Sequence, residues 1–106
     1  MDYIYRVSDN DDMGCYQSGG TLVNGLEHHE GCDPIHPHPL YDVGIKRYPI
    51  KEERHAFESI EQAEKWFTKV EFKRMESNGY KLRKIPISKV DITAVGDCQI
   101  LFKYND

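Results

Sequence analysis

The side chains best suited to chemistry lie between residues 28 and 45, in the segment HHEGCDPIHPHPLYDVGI. This segment holds four of the five histidines and three of the five prolines. Because proline lacks the backbone donor that helices and central strands need, the segment is predicted to be a loop. Imidazole and thiolate groups bind zinc, and the candidate ligands are Cys15, Cys32 and His36. Their spacing matches no standard zinc finger, so an exposed loop that binds no metal is the competing interpretation.

A second pair in this segment, His38 and Asp42, combines an imidazole with a nearby carboxylate. Such a pair can transfer protons, or its two members can hydrogen-bond to each other and hold the loop in place. Pro37 and Pro39 predict a rigid turn, which favours the structural role. We expect His38 and Asp42 to lie on the binding surface in either case.

Arg6 lies in the middle of residues 3–7, whose aromatic and β-branched side chains predict a strand. Alternation along that strand places Arg6 on the face opposite Tyr3, Tyr5 and Val7. The guanidinium group has the geometry to bind phosphate or carboxylate in a cleft. The alternative is a solvated or ion-paired arginine at the edge of a sheet.

The last predicted strand carries two further candidates, Gln99 and Cys98. Gln99 either lines a pocket or lies on the outer face of the strand. Cys98 alternates with core-facing residues, so we interpret it as a small buried apolar residue. Nothing in the sequence marks a cysteine as a thiol of low pKa, such as a position at the start of a predicted helix.

One helix, over about residues 59–77, and several strands are predicted to position these side chains. Ser59 and Gln62 form a capping-box pattern, and an apolar stripe with helical spacing follows it: Ile60, Ala63, Trp66, Phe67 and Val70. Gly79 is suited to end the helix. Strands are predicted over residues 80–85, 90–95 and 98–104, the last two as a hairpin. Residues 8–57 show little regular structure, so the working surface is expected in this loop-rich N-terminal half.

Length and composition are typical of one globular domain over residues 1–106, of the α+β class with a mostly antiparallel sheet. The formal charge of −4 argues against general nucleic-acid binding, which depends on neutralising phosphates. No apolar run reaches the roughly 18 residues that span a bilayer, and no signal-peptide pattern is visible. Three cysteines without a CxxC motif predict free thiols in a reducing compartment. A cytoplasmic location and no membrane partner are therefore expected.

Short motifs spread over most of the chain resemble a family of small proteins from tailed bacteriophages. The opening of that family, YRV…D…G.GxY, is matched by Tyr5-Arg6-Val7, by residues 11–14 and by Tyr16. An HPxPxxDxGI-like segment, an F.S.EQ…WF helix and a G.xQ(V/I)LF end are matched by residues 38–45, 57–67 and 96–102. The chain departs from the family at Cys15-Tyr16-Gln17, where the usual Pro-Tyr-Arg would supply a basic contact.

The order of these features also resembles the ADP-ribosyltransferase plan. That resemblance implies that Arg6 holds the phosphates and ribose of NAD or a related nucleotide. It further implies that Tyr16 or Tyr41 stacks on the nicotinamide and that Gln99 orients the ribose. Because glutamine supplies no carboxylate to stabilise an oxocarbenium ion, binding without turnover fits Gln99 better.

The resemblance to phage proteins implies an accessory protein that acts in the host cytoplasm. We expect it to bind a host protein, an anti-phage-defence protein or a nucleotide-like ligand through a loop-rich cleft. The predicted ligand-binding residues are Arg6, Tyr16, His38, Asp42 and Gln99. One alternative is an ADP-ribosyltransferase-like enzyme that uses NAD through Arg6, His38, Asp42 and Gln99. A second alternative is a small zinc-stabilised module.

Overall fold

The computed structural model describes residues 2–14 and 39–105. These residues form two α-helices and five β-strands, with short 3-10 turns at Pro39–Tyr41 and Ile87–Lys89. In chain order the elements are β1 (Tyr3–Ser8), β2 (Arg54–Ala56), α1 (Ile60–Trp66), α2 (Lys69–Ser77), β3 (Lys81–Pro86), β4 (Val90–Val95) and β5 (Ile100–Tyr104). The predicted α+β class is confirmed.

The strands form two antiparallel sheets that join at one point. β1 pairs with β3, and a second sheet has the order β2-β5-β4. Tyr5 and Phe57 exchange two backbone hydrogen bonds of 2.9 and 2.7 Å, so the chain leaving β2 continues alongside β1. The predicted hairpin over residues 90–104 is confirmed as β4 and β5. A register shift between Ile92 and Ala94 marks a bulge at Thr93.

Side chains from the two faces of β1 enter two hydrophobic clusters. Val7 packs with Phe57, Trp66 and other residues of the helical layer. Ile4, on the opposite face, packs with Ile100 and other residues of the three-stranded sheet. This arrangement agrees with the alternation predicted for the first strand. Since Arg6 shares its face with Ile4, its charge is directed toward the interior of the protein.

The prediction of one continuous helix over residues 59–77 was wrong. The chain leaves the helix at Phe67, which is extended, and α2 begins after a new N-cap at Thr68. The Thr68 hydroxyl accepts from the Glu71 amide at 3.1 Å, and the Glu71 carboxylate accepts from the Thr68 amide at 2.8 Å. This reciprocal capping box satisfies donors that a continuous helix would use internally, so it starts a separate helix.

The ends of the helical layer lie close to the predicted positions. The Ser59 hydroxyl accepts from the Gln62 amide at 3.1 Å, which confirms the N-cap. The Gln62 side chain, however, accepts from the amide of Glu58 instead of returning to Ser59. Gly79 adopts φ of +88°, a left-handed conformation that glycine allows at the end of a helix. Ile60 and Val70 are exposed, so the buried stripe is shorter than predicted.

Residues 8–57 contain more regular structure than expected. Strand β2 pairs with β5, and His55 lies opposite Leu101 in this pairing. The short sequence of β2 carries no strand-like alternation, which is why it escaped prediction. In addition, β5 begins at Ile100 instead of Cys98, because the turn before it is bound by a side chain from elsewhere. None of the helices in the described ranges is long and apolar enough to cross a membrane.

Replacing Thr68 with Ala is predicted to destabilise the protein by about 1 kcal/mol, because the second helix loses its N-cap. Urea unfolding monitored by circular dichroism would measure this change. Thr68→Ser is the matched control, since serine keeps the accepting hydroxyl and should lie within about 0.5 kcal/mol of the parent. Equal stability of the alanine and serine variants would show that the capping box does not hold this helix start.

Candidate functional site

Arg6 is buried, with 7% of its surface exposed, and its guanidinium group is occupied. Its Nε donates to Asp12 Oδ1 at 3.0 Å, and its Nη2 donates to the Asp12 carbonyl at 3.1 Å. Its Nη1 donates to the His55 carbonyl at 2.7 Å. Of the two predicted roles, the ion pair is therefore present, but in the interior and not at an exposed edge. Arg6 thereby ties β1 to β2 and to the turn that follows β1.

Asp12 is held by a compact turn over residues 9–13, directly after β1. The Asp9 carboxylate accepts from the amides of Asp11 and Met13, both at 2.9 Å. Asp12 itself adopts φ of +62°, a region that aspartate tolerates better than most residues. Its second carboxylate oxygen lies 2.8 Å from Arg54 Nε, so one carboxylate serves two arginines.

Asp42 is 2% exposed and joins the loop after Pro39 to the turn between β4 and β5. Its carboxylate accepts from the backbone amides of Asp97 and Cys98 at 2.6 and 3.1 Å. It also accepts from the Gly44 amide and from Gln99 Nε2, both at 3.3 Å. Consecutive amides directed at one carboxylate form a concave anion site. The described contacts thus give Asp42 a structural role, whereas its predicted contact with His38 lies outside the described residues.

Two glycines, Gly44 and Gly96, allow the loop that carries Asp42 to approach the turn between β4 and β5 closely. A Cβ atom on Gly96 would lie 2.4 Å from the carboxylate atoms of Asp42. A Cβ atom on Gly44 would lie 2.2 Å from the Val95 carbonyl oxygen. Both distances are far below van der Waals contact, so only glycine fits at these positions without a shift of the backbone. The loop and the turn therefore form one packed unit.

His55 lies among the residues that were predicted from sequence. The Gln99 side chain hydrogen-bonds to it, and Arg6 and Asp42 are near enough to influence its charge. Burial, together with the Arg6 charge, lowers the pKa of His55 to about 3, so the imidazole is neutral near neutral pH. Its ring packs against Phe57 and Trp66, with centroid distances of 5.0 Å in both cases. His55 Nε2 has no hydrogen-bond partner within the described residues.

The structure therefore brings three predicted residues, Arg6, Asp42 and Gln99, together around His55. All three are buried, and their described contacts are with the protein itself. Tyr16 and His38, like the zinc candidates Cys15, Cys32 and His36, lie outside the described residues, so their roles stay predictions. Within residues 2–14 and 39–105, no group of three or more potential ligands is arranged to hold a metal ion.

Sequence reasoning missed His55 and Asp12 as members of this network. His55 is the one histidine outside the loop-rich segment 28–45, and it follows an arginine in an otherwise polar stretch. Asp12 is one of four acidic or amide residues in a row, Asp9 to Asp12, and nothing in the pattern singles it out. The contact between Asp12 and Arg6 becomes apparent only in the folded structure, where the turn after β1 brings the two side chains together.

Residues 39–53 form a loop fixed at both ends, which we call the anchored loop. Asp42 holds its first part, and an ion pair between Arg47 and Glu53 closes its second part with two hydrogen bonds of 2.7 Å. Glu53 also accepts from the Ile50 amide at 2.8 Å and contacts the Thr93 hydroxyl at the bulge of β4. The hydrogen bonds from Arg47, with those from Thr93 and Ile50, lower the pKa of Glu53 to about 2 although its burial opposes this.

The family model described as "Bacteriophage T4 Y00F protein" matches residues 1–106 of the chain. The chain belongs to this family. Membership confirms the predicted relation to small phage proteins, and it carries no indication of an ADP-ribosyltransferase. No curated protein and no solved structure matches the chain.

Replacing Gly96 with Ala is predicted to destabilise the protein by about 3 kcal/mol, because the added methyl group displaces the Asp42 carboxylate from its donors. Chemical denaturation would measure the loss. Gly14→Ala is the matched control, since among the described residues a Cβ atom there meets nothing nearer than Arg6 Nη2 at 3.5 Å. Similar stabilities of these two variants would contradict the packed unit formed by loop and turn.

Acid is predicted to destabilise the protein in two stages. The pKa of His55 is about 3 in the folded state and has its ordinary value of 6.5 in the unfolded state, so the unfolded state takes up a proton first as the pH falls below 6.5. From about pH 7 to about pH 5, stability should fall by about 2 kcal/mol through this residue. Glu53, with its lowered pKa, should add a further loss only when the pH falls below 4.5, the ordinary pKa of a glutamate.

Urea titrations at the two pH values would measure the first stage. His55→Gln removes the titrating group and should flatten the dependence between them, whatever its effect on overall stability. A variant with an unchanged slope would show that another group causes the loss.

Proposed function

We propose that this phage accessory protein acts by binding a host protein through the anchored loop. The observation that supports the proposal most is the exposure of large apolar side chains on a loop whose backbone is fixed. Between 57% and 68% of the surface of four such residues is exposed: Tyr41, Val43, Tyr48 and Ile50. Large apolar side chains that are exposed together on a protein surface often mark an interaction site.

The anchored loop is suited to binding because its shape exists before a partner arrives. Tyr41 and Val43 flank Asp42, whose carboxylate is held by four donors. Tyr48 and Ile50 lie between Arg47 and Glu53, whose side chains pair in a bidentate manner. Since the loop is already ordered, less conformational entropy is lost on association. Tyrosine in particular contributes strongly to protein interfaces.

Charge favours a protein as the partner. The chain has a formal charge of −4, which opposes association with nucleic acids and with anionic membrane surfaces. An apolar, tyrosine-bearing surface instead matches the apolar centre of a protein interface, which is depleted in charged residues. A partner with an apolar patch, present in the infected cell, fits both the surface and the membership in a phage family.

The described contacts favour binding over ADP-ribosyl transfer. Arg6 and Gln99 would have to contact NAD, yet they are 7% and 1% exposed. Arg6 is bound to Asp12 and to the His55 carbonyl, and Gln99 donates to Asp42. Freeing either side chain would leave a buried charge or carbonyl without its partner, which is costly. The polar network is therefore better explained as the support of the binding surface.

The double variant Tyr48→Ser, Ile50→Ser is predicted to weaken capture of the host partner by at least about tenfold, since apolar anchors dominate interface energies. The tagged protein would be used to capture proteins from host lysate, and affinities for the purified captured protein would then be measured by calorimetry. Val70→Ser is the matched control, because Val70 is 56% exposed and belongs to α2, not to the anchored loop.

Loss of binding in the double variant, with the control unchanged and both variants folded by circular dichroism, would support the proposal. Equal binding by the parent and the double variant would overturn it. Capture of a protein that the Val70→Ser control also loses would assign the interface to the helical layer instead.

A further inference from the structure

A cavity of about 520 Å³ opens on the side of the two-stranded sheet, apart from the anchored loop. Its walls come from the end of β1 and the turn after it, from most of β3 and from the end of β5. The lining residues with polar or charged side chains are Ser8, Asp9, Asn10, Asp12, Lys81, Arg83, Lys84 and Tyr104. The volume lies in the range of sites that hold small ligands.

Two cations of β3 share the face of the sheet that carries Ser8. In the register of the sheet, Lys81 lies opposite Ser8, and Arg83 lies opposite Arg6. Directly opposed residues of antiparallel strands direct their side chains to the same face. Arg83 is positioned by hydrogen bonds from its Nε to the Ser8 carbonyl at 3.2 Å and from its Nη2 to Asn10 Oδ1 at 3.0 Å. Its Nη1 and the Lys81 ammonium group have no partner among the described residues.

Ser8 supplies an independent indication of a ligand. The residue is fully buried, and its hydroxyl has no hydrogen-bond partner within the described part of the chain. A buried hydroxyl without a partner costs free energy. A ligand oxygen seated against Ser8 would supply the missing partner, and the same oxygen would lie near the two cations.

The acidic residues of the cavity do not cancel this positive charge. Asp12 is bound by Arg6 and Arg54, so this group of three carries one net positive charge. The Asp9 carboxylate accepts from two backbone amides of its own turn. With Lys81 and Arg83 added, cations outnumber carboxylates around the cavity, as an anion requires.

We propose that this cavity binds a nucleoside monophosphate. The phosphate group would contact Lys81, Arg83 and the Ser8 hydroxyl, because guanidinium and ammonium groups form strong charge-assisted hydrogen bonds with phosphate oxygens. The organic part would lie toward Ile85 and the ring of Tyr104, which form the less polar part of the wall. The cavity shares no lining residue with the anchored loop, so a protein bound to the loop and a nucleotide bound in the cavity do not compete for the same residues.

The test is a titration of the full chain with AMP, followed by the backbone amide signals of residues 81–85 in NMR spectra. AMP is expected to shift these signals saturably, whereas adenosine, which lacks the phosphate, leaves them unchanged. Lys81→Gln and Ser8→Ala should each weaken AMP binding by about tenfold through a lost hydrogen bond. Ser8→Ala should also leave stability unchanged or higher, since it removes a buried hydroxyl without a partner.

Lys69→Gln is the matched control, because Lys69 is exposed at the start of α2 and lines none of this cavity. It should leave AMP binding within about twofold of the parent. Absence of saturable shifts at millimolar AMP would overturn the proposal, as would equal weakening by Lys69→Gln and Lys81→Gln. Inorganic phosphate binding as tightly as AMP would overturn the nucleotide as ligand and leave an inorganic anion site.

Discussion

The carboxylate of Asp42 is the constraint on which the arrangement of this protein depends. A buried carboxylate is tolerated only when enough donors surround it, and here the donors come from both its own loop and the turn before β5. These donors reach the carboxylate only if the backbone of the loop lies close to the backbone of the turn, which requires glycine at positions 44 and 96. Asp42, its donors and the two glycines therefore act as one unit, in which the loss of any member affects the rest.

Arg6 forms a second set of buried polar contacts, and His55 connects this set to the contacts of Asp42. The Arg6 guanidinium binds the His55 carbonyl on one side and Asp12 on the other. The His55 side chain is bound by Gln99, which in turn donates to Asp42. A path of polar contacts thus runs through the interior from the turn after β1 to the anchored loop. Such a network, when its members are satisfied, strongly disfavours alternative packings because each misplaced group would be buried without a partner.

The parts of the fold that follow from local rules could be predicted from the sequence. Ser59 and Gly79 mark the limits of the helical layer through their own capping chemistry. The hairpin of β4 and β5 follows from alternation on either side of a short turn. Thr68 and Glu71 have the spacing of a capping box, which indicates a new helix start at Thr68. The apolar stripe on both sides of Thr68 suggested one continuous helix instead. In that case capping outweighed periodicity.

The candidate site could be predicted only in part, because burial is a property of distant pairings. Arg6, Asp42 and Gln99 were identified by their chemical types, and they do meet in space. Their partners could not be identified, since His55 lies in a strand of three residues that depends on β5 for its pairing. The sequence pattern also does not distinguish a polar residue that faces a cleft from one that faces a buried carboxylate. For Arg6, Asp42 and Gln99, low exposure together with contacts inside the protein favours structural roles.

This result changes what the short phage-type motifs indicate. Asp42 and Gly44 belong to one motif, and Gly96 and Gln99 belong to another. In the structure Gly44, Gly96 and Gln99 all lie against the Asp42 carboxylate. In these four residues the motifs therefore describe contacts that hold the scaffold together. The first of them leaves positions 41 and 43 open, and in this chain those positions carry exposed Tyr41 and Val43. The residues that hold the loop are thus distinct from the exposed residues beside them, which allows a single scaffold to present different surfaces without loss of its fold.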